Sequence, residues 1–103
     1  MPRVAAPESR AMHQDQAEIV ALQALEWLAG DPELFGIFLA ASGTDQNGVN
    51  ARAGDPAFLG GVLDFVLQAD AHVLSFAQTV AIDPMLVRAA RIALPGGANP
   101  EWT

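Results

Sequence analysis

Apolar residues return every three or four positions along most of this chain, and breaks in that rhythm mark out six helical segments. The first runs from Asp15 to Ala29. Ala17, Val20, Ala21, Ala24, Leu25 and Leu28 share one side of its helical wheel, with Gln16, Gln23 and Glu26 opposite. The second, Pro32 to about Ser42, stops at Gly43 and is apolar around most of its circumference. Leu34, Phe35, Ile37, Phe38, Leu39 and Ala41 leave only Glu33, Gly36 and Ala40 outward, a pattern that predicts burial from more than one side. A short third helix is expected from about Gln46 to Ala53, although Asn47-Gly48 also favours a turn.

The fourth segment, Pro56 to Ala69, reads as the central helix. Phe58, Leu59, Val62, Leu63, Phe65, Val66 and Leu67 wrap it, and Ala57, Gly60, Gly61, Asp64 and Gln68 form a narrow strip of small and polar residues. A fifth helix follows Asp70, with Val73, Phe76, Ala77 and Val80 inward. A sixth begins at Pro84, burying Leu86, Val87, Ala90 and Leu94 while turning Arg88 and Arg91 to water. No segment alternates as a strand does. The fold class is all-α: a compact bundle of five to six short helices.

The breaks themselves are written in capping chemistry. Asp-Pro occurs at Asp31-Pro32, Asp55-Pro56 and Asp83-Pro84, and the first two sit in the matching phrases Gly-Asp-Pro-Glu-Leu-Phe-Gly and Gly-Asp-Pro-Ala-Phe-Leu-Gly. Glycine suits the residue that ends a helix, aspartate accepts from the free amides of the next, and proline fits its first position. Asp15, Asp31, Asp55, Asp70 and Asp83 are therefore expected as helix caps, with Glu18 completing a capping box after Asp15. These aspartates are structural punctuation rather than catalytic groups.

At an offset of 38 residues, Leu25 falls on Leu63, Glu26 on Asp64, Trp27 on Phe65, Phe38 on Phe76, Asp45 on Asp83 and Val49 on Val87. Two readings fit. Either a helical unit has been duplicated, or two helical stretches with similar apolar periodicity coincide. The chain reads as a single helical domain over 14–94, between flexible tails at 1–13 and 95–103. Trp102 is the one unexpected residue in the second tail.

Charge narrows the partners. Twelve carboxylates face five arginines and no lysine, giving a net charge of −7 over 103 residues. Phosphate neutralisation needs clustered cations, so no nucleic acid is expected as a partner, and an anionic membrane surface is disfavoured for the same reason. The longest stretch without a charged residue, Ala71 to Ile82, falls short of the ~18–20 apolar residues of a membrane span. Absence of cysteine rules out disulfides and thiolate chemistry. With no secretory signal pattern at the N-terminus, a soluble cytoplasmic protein is expected.

Catalytic chemistry finds little material. There is no Gly-x-Ser-x-Gly elbow, no cysteine, lysine or tyrosine, and Gly60-Gly61 lies inside a helix rather than in a phosphate-binding loop. No cofactor and no metal site is expected. His13 lacks converging ligands, and His72 reads as a surface histidine at the edge of an amphipathic helix. One alternative remains, a small-molecule-binding protein or hydrolytic enzyme built on Glu26, Asp64 and His72. It requires the three side chains to converge in one pocket.

The preferred reading is a non-enzymatic protein–protein interaction module that binds a partner helix or itself. Each glycine inside a helix costs ~1 kcal/mol relative to alanine, so Gly60 and Gly61 need a compensating role. They either admit a neighbouring helix of the same chain or floor a groove for a partner, with Asp64 at its rim. Trp27, Gly60, Gly61 and Asp64 are the candidate interaction surface.

The run Ala21-Leu22-Gln23-Ala24-Leu25-Glu26-Trp27-Leu28-Ala29, the two Gly-Asp-Pro phrases and Val62-Leu63-Asp64-Phe65 resemble the bacterial domain of unknown function 3572 family. The likeness spans Asp15 to Leu94. Ala81-Ile82-Asp83-Pro84 is close to the family's Gly-Leu-x-Pro-like phrase, whereas Gly43-Thr44-Asp45-Gln46 lacks its proline. The resemblance implies a compact helical fold and carries no activity.

Overall fold

A computed structural model describes residues 12–95, and within them every regular element is helical. The tails expected at 1–13 and 95–103, Trp102 included, lie outside these residues apart from Met12, His13 and Pro95. The helices are α1 (Gln14–Ala29), α2 (Pro32–Ser42), α3 (Gln46–Arg52), α4 (Pro56–Leu67), α5 (Asp70–Val80) and α6 (Met85–Ala93).

α1, α4 and α6 pack against one another, with α2 laid on α1 and α5 on α4 and α1. The core follows from the apolar stripes. α1 buries the six residues its wheel singled out, and α4 buries Phe58, Leu59, Val62, Leu63, Phe65 and Val66, which makes it the central helix. Phe76 from α5 and Val87 from α6 close the core against them.

Two apolar expectations fail. α2 buries only Phe38, and Ile37 on its outer side stays 53% exposed. It lies at the edge of the bundle, packed mainly on α1 and touching α4 through Phe38, so much of its wide apolar face stays uncovered. Leu86, expected inside, is exposed at the start of α6.

Four aspartates hold helix starts. Asp31 Oδ1 accepts from Leu34 N at 3.1 Å, Asp45 Oδ1 from Gly48 N at 2.8 Å, Asp55 Oδ1 from Ala57 N at 3.0 Å, and Asp83 Oδ1 from Met85 N at 2.9 Å. Asp45 secures the short α3 despite Asn47-Gly48. Asp15 and Asp70 do not cap. α1 begins one residue before Asp15, and Ala69 takes the cap position of α5, so both carboxylates sit inside the first helical turn. Such a charge meets the positive end of the helix dipole without accepting an end amide. α4 also stops at Leu67, short of Ala69, because the chain bends by 112° into α5 there.

The 38-residue offset carries into the helix boundaries. α2 spans 32–42 and α5 spans 70–80, while α1 and α4 end at 29 and 67. Gly43 and Ala81, which follow α2 and α5, both adopt left-handed backbone with φ of 72° and 60°. Apolar periodicity alone does not place left-handed residues in register. The halves nonetheless diverge in packing: α6 is wedged between α1 and α4, and α3 has no equivalent place.

Candidate functional site

The strip on α4 divides between its two glycines. Gly60 is buried, and a Cβ added there would lie 2.5 Å from Arg91 Nη1 and 3.1 Å from its Cζ. Arg91 reaches across from α6 and grips Asp64 with two parallel bonds, Nε to Oδ1 at 2.6 Å and Nη2 to Oδ2 at 3.0 Å. Its third contact, Nη1 to Pro95 O at 3.0 Å, ties down the chain after α6. The Arg91 side chain is only 14% exposed, against the expectation that it faces water. Gly60 is thus small for the sake of this chain's own arginine.

A sequence signal for this contact existed. Val87, Ala90, Arg91 and Leu94 form one i, i+3, i+4, i+7 stripe, which places Arg91 on the buried face of α6. A buried guanidinium needs a carboxylate, and Asp64 on the otherwise apolar central helix is well placed to supply one.

One residue further round, Gly61 meets open space, with nothing within 4 Å of an added Cβ. It lines a cavity of about 280 Å³ together with Phe38, Phe58, Phe65, Arg52 and Asp64. The groove expected over the glycines is therefore present at Gly61 and filled at Gly60.

Trp27 occupies a different surface. Its half-buried ring packs on Phe76 at 5.8 Å between centroids and meets His72 edge-on at 6.3 Å. Two open cavities, of about 310 and 390 Å³, share Trp27 and Asp31 as lining. Glu33, Leu34 and Ile37 continue the first, and Glu26, Thr79 and Val80 the second. Three carboxylates thus surround one indole. Among the described residues that line the two cavities there is no lysine or arginine.

Glu26, Asp64 and His72 do not share a cavity. Glu26 and His72 line the separate clefts on either side of Trp27, and Asp64 lies at the Gly61 cavity, held by Arg91. His72 stacks on Phe65 at 6.2 Å, and its Nδ1 is buried without a hydrogen-bond partner. The imidazole is more an element of the aromatic packing than the edge residue the sequence indicated. Among the described residues, no group of three or more His, Asp or Glu side chains could hold a metal ion. No described helix is long and apolar enough to cross a membrane, and α4 with α5 reaches that length only across their 112° bend.

No curated protein and no solved structure matches the chain. Residues 14–97 match the family described as Protein of unknown function (DUF3572), a span that includes all six helices, and the chain belongs to that family.

Proposed function

We propose that the chain is a non-enzymatic protein–protein interaction module that holds a basic segment of a partner in the cleft around Trp27. The observation that supports this reading is the convergence of two cavities on Trp27 and Asp31, with Glu26 and Glu33 on either side and no lining cation. An indole face attracts a guanidinium or ammonium group, and carboxylates beside it add charge-assisted hydrogen bonds. Leu34, Ile37 and Val80 supply the apolar ground on which the stems of lysine or arginine, or a leucine between them, would lie. The overall charge of −7 favours encounter with a basic partner and opposes pairing with a second copy.

The surface differs from the one the sequence indicated. Gly60 and Asp64 are engaged by Arg91, while Trp27 and Gly61 keep open surroundings, and of these two Trp27 is the one beside several carboxylates and no lining cation.

The test uses a helical peptide of leucine and lysine as probe, with a leucine–glutamate peptide of equal length as control. In a Trp102→Phe background, Trp27 fluorescence should shift with the first peptide and not with the second. Glu33→Lys and Glu26→Lys should each weaken binding by roughly tenfold, whereas Asp15→Lys, with the same change in net charge, should have less than a roughly twofold effect. Equal losses at all three positions would mean that net charge alone attracts the peptide, and the reading would fail.

A further inference from the structure

The Gly61 cavity is a separate feature with its own chemistry. The end of α2, the end of α3 and the middle of α4 enclose it, and Phe38, Phe58 and Phe65 form its floor. Phe38 stands edge-on to Phe58 at 6.1 Å and to Phe65 at 5.4 Å, so the floor is a rigid cluster of rings. Above it the Arg52 guanidinium lies 4.8 Å from the centre of the Phe58 ring.

Arg52 has no counter-ion among the described residues. Among the described residues the one ion pair joins Arg91 and Asp64, and Asp64 is the only acid that lines this cavity. Both oxygens of Asp64 already accept from Arg91. A guanidinium held against a ring keeps its planar fork oriented, so an arriving carboxylate loses less freedom in pairing with it.

We propose that this cavity binds a small apolar monocarboxylate, its hydrocarbon body on the three phenylalanines and its carboxylate on Arg52. Size and charge limit the ligand. A volume of about 280 Å³ stands at the lower edge of the range of ligand pockets, ~300–1,000 Å³, which suits a single ring or a short branched chain. The chain's net charge of −7 repels polyanions more strongly than a monoanion, so phosphate esters and dicarboxylates are disfavoured. Gly61 keeps the entrance clear, which gives the second helix-interior glycine a use. This site does not depend on the Trp27 cleft.

The experiment is a titration of the full isotope-labelled chain with phenylacetate, phenylacetamide and phenethylamine, followed by amide chemical shifts. Phenylacetate should move the amides of Ala57, Gly61 and Gln68 and bind at least roughly fivefold tighter than phenylacetamide, with phenethylamine weakest. Arg52→Gln should erase the preference for the carboxylate, and Gly61→Leu should block all three ligands. Arg88→Gln removes a cation that lines a different cavity on α6 and should leave phenylacetate binding unchanged.

Absence of shifts around the cavity at millimolar phenylacetate would overturn the proposal. So would equal binding of acid and amide, or equal effects of Arg52→Gln and Arg88→Gln. Tightest binding by phenethylamine would show that Asp64 governs the site, which is also incompatible with it. Arg52 is exposed and lies in the last turn of α3, so Arg52→Gln is a variant that folds and decides the question even if Gly61→Leu does not.

Discussion

Gly43 and Ala81 end α2 and α5 in the same left-handed conformation, at φ of 72° and 60°, and the two residues are 38 positions apart. Glycine takes this conformation without steric cost, while an alanine methyl crowds the following carbonyl by ~1–2 kcal/mol. Ala81 is the only non-glycine residue at positive φ among the described residues. Ala81→Gly should therefore stabilise the fold by about 0.5–1 kcal/mol after the extra freedom of glycine in the unfolded chain is subtracted. Gly43→Ala should cost a similar amount. Urea unfolding of both variants checks the pair, and destabilisation by Ala81→Gly would contradict the assigned backbone.

The two glycines of α4 should answer oppositely to the same substitution. Gly61→Ala gains helix propensity in open space and should stabilise by up to ~1 kcal/mol. Gly60→Ala gains as much propensity but pushes Arg91 off Asp64 and crowds Pro95 O, 3.3 Å from the new Cβ. Asp64 is 56% exposed, so solvent screening limits the worth of the pair to about 1 kcal/mol, and the separate bond from Arg91 Nη1 to Pro95 O adds to it. The net effect of Gly60→Ala should be a loss of about 1 kcal/mol. In an Arg91→Ala background the nearest obstacle is gone and Pro95 O loses the bond that holds it there, so Gly60→Ala should become neutral or stabilising. This double-mutant cycle isolates the contact.

Local chemistry was legible in the sequence and long-range pairing was not. The stripe on α1, the centrality of α4 and the Asp-Pro joints all follow from residues within one or two turns of each other. Asp70 was misread because a carboxylate suits both the cap and the first helical turn, and the bend at Gln68-Ala69 decides between them. α2 was misread because apolar content reports what a helix could bury, and its place at the bundle edge decides what it does bury. The Arg91–Asp64 pair spans 27 residues: the stripe on α6 marks Arg91 as facing inward, but only the assembled bundle fixes which carboxylate it meets. The cavities depend on how three helices meet, so Arg52 over Phe58 and the acids around Trp27 become visible only once the bundle is assembled.

Capping aspartates should separate from first-turn aspartates in stability. Asp45 caps the shortest helix with a 2.8 Å bond to Gly48 N, so Asp45→Ala should cost about 1 kcal/mol. Asp15 makes only the dipole interaction, and Asp15→Ala should cost about 0.3–0.5 kcal/mol, most of it removed by high salt. A large cost at Asp15 that persists in salt would mean that α1 starts where the sequence first indicated.

Phe38 is the only buried residue of α2, and its ring touches Phe35, Phe58 and Phe65. Its repeat-equivalent, Phe76, is wholly buried on α5, which packs against both α1 and α4. Truncating a buried phenylalanine to alanine typically costs ~3–5 kcal/mol when the surroundings cannot collapse. The two sites should distribute that cost differently. Without Phe38, α2 has no buried anchor left, and it should open locally while the rest of the bundle persists. Phe38→Ala should therefore strip hydrogen-exchange protection from the amides of Leu39 to Ser42 and leave the middle of α4 nearly as slow as before. Phe76→Ala lacks that escape and should accelerate exchange across α1, α4 and α5 together. If Phe38→Ala instead lowers protection in α4 as much as in α2, then α2 is cooperative with the core, and its exposed face contributes more than its burial indicates.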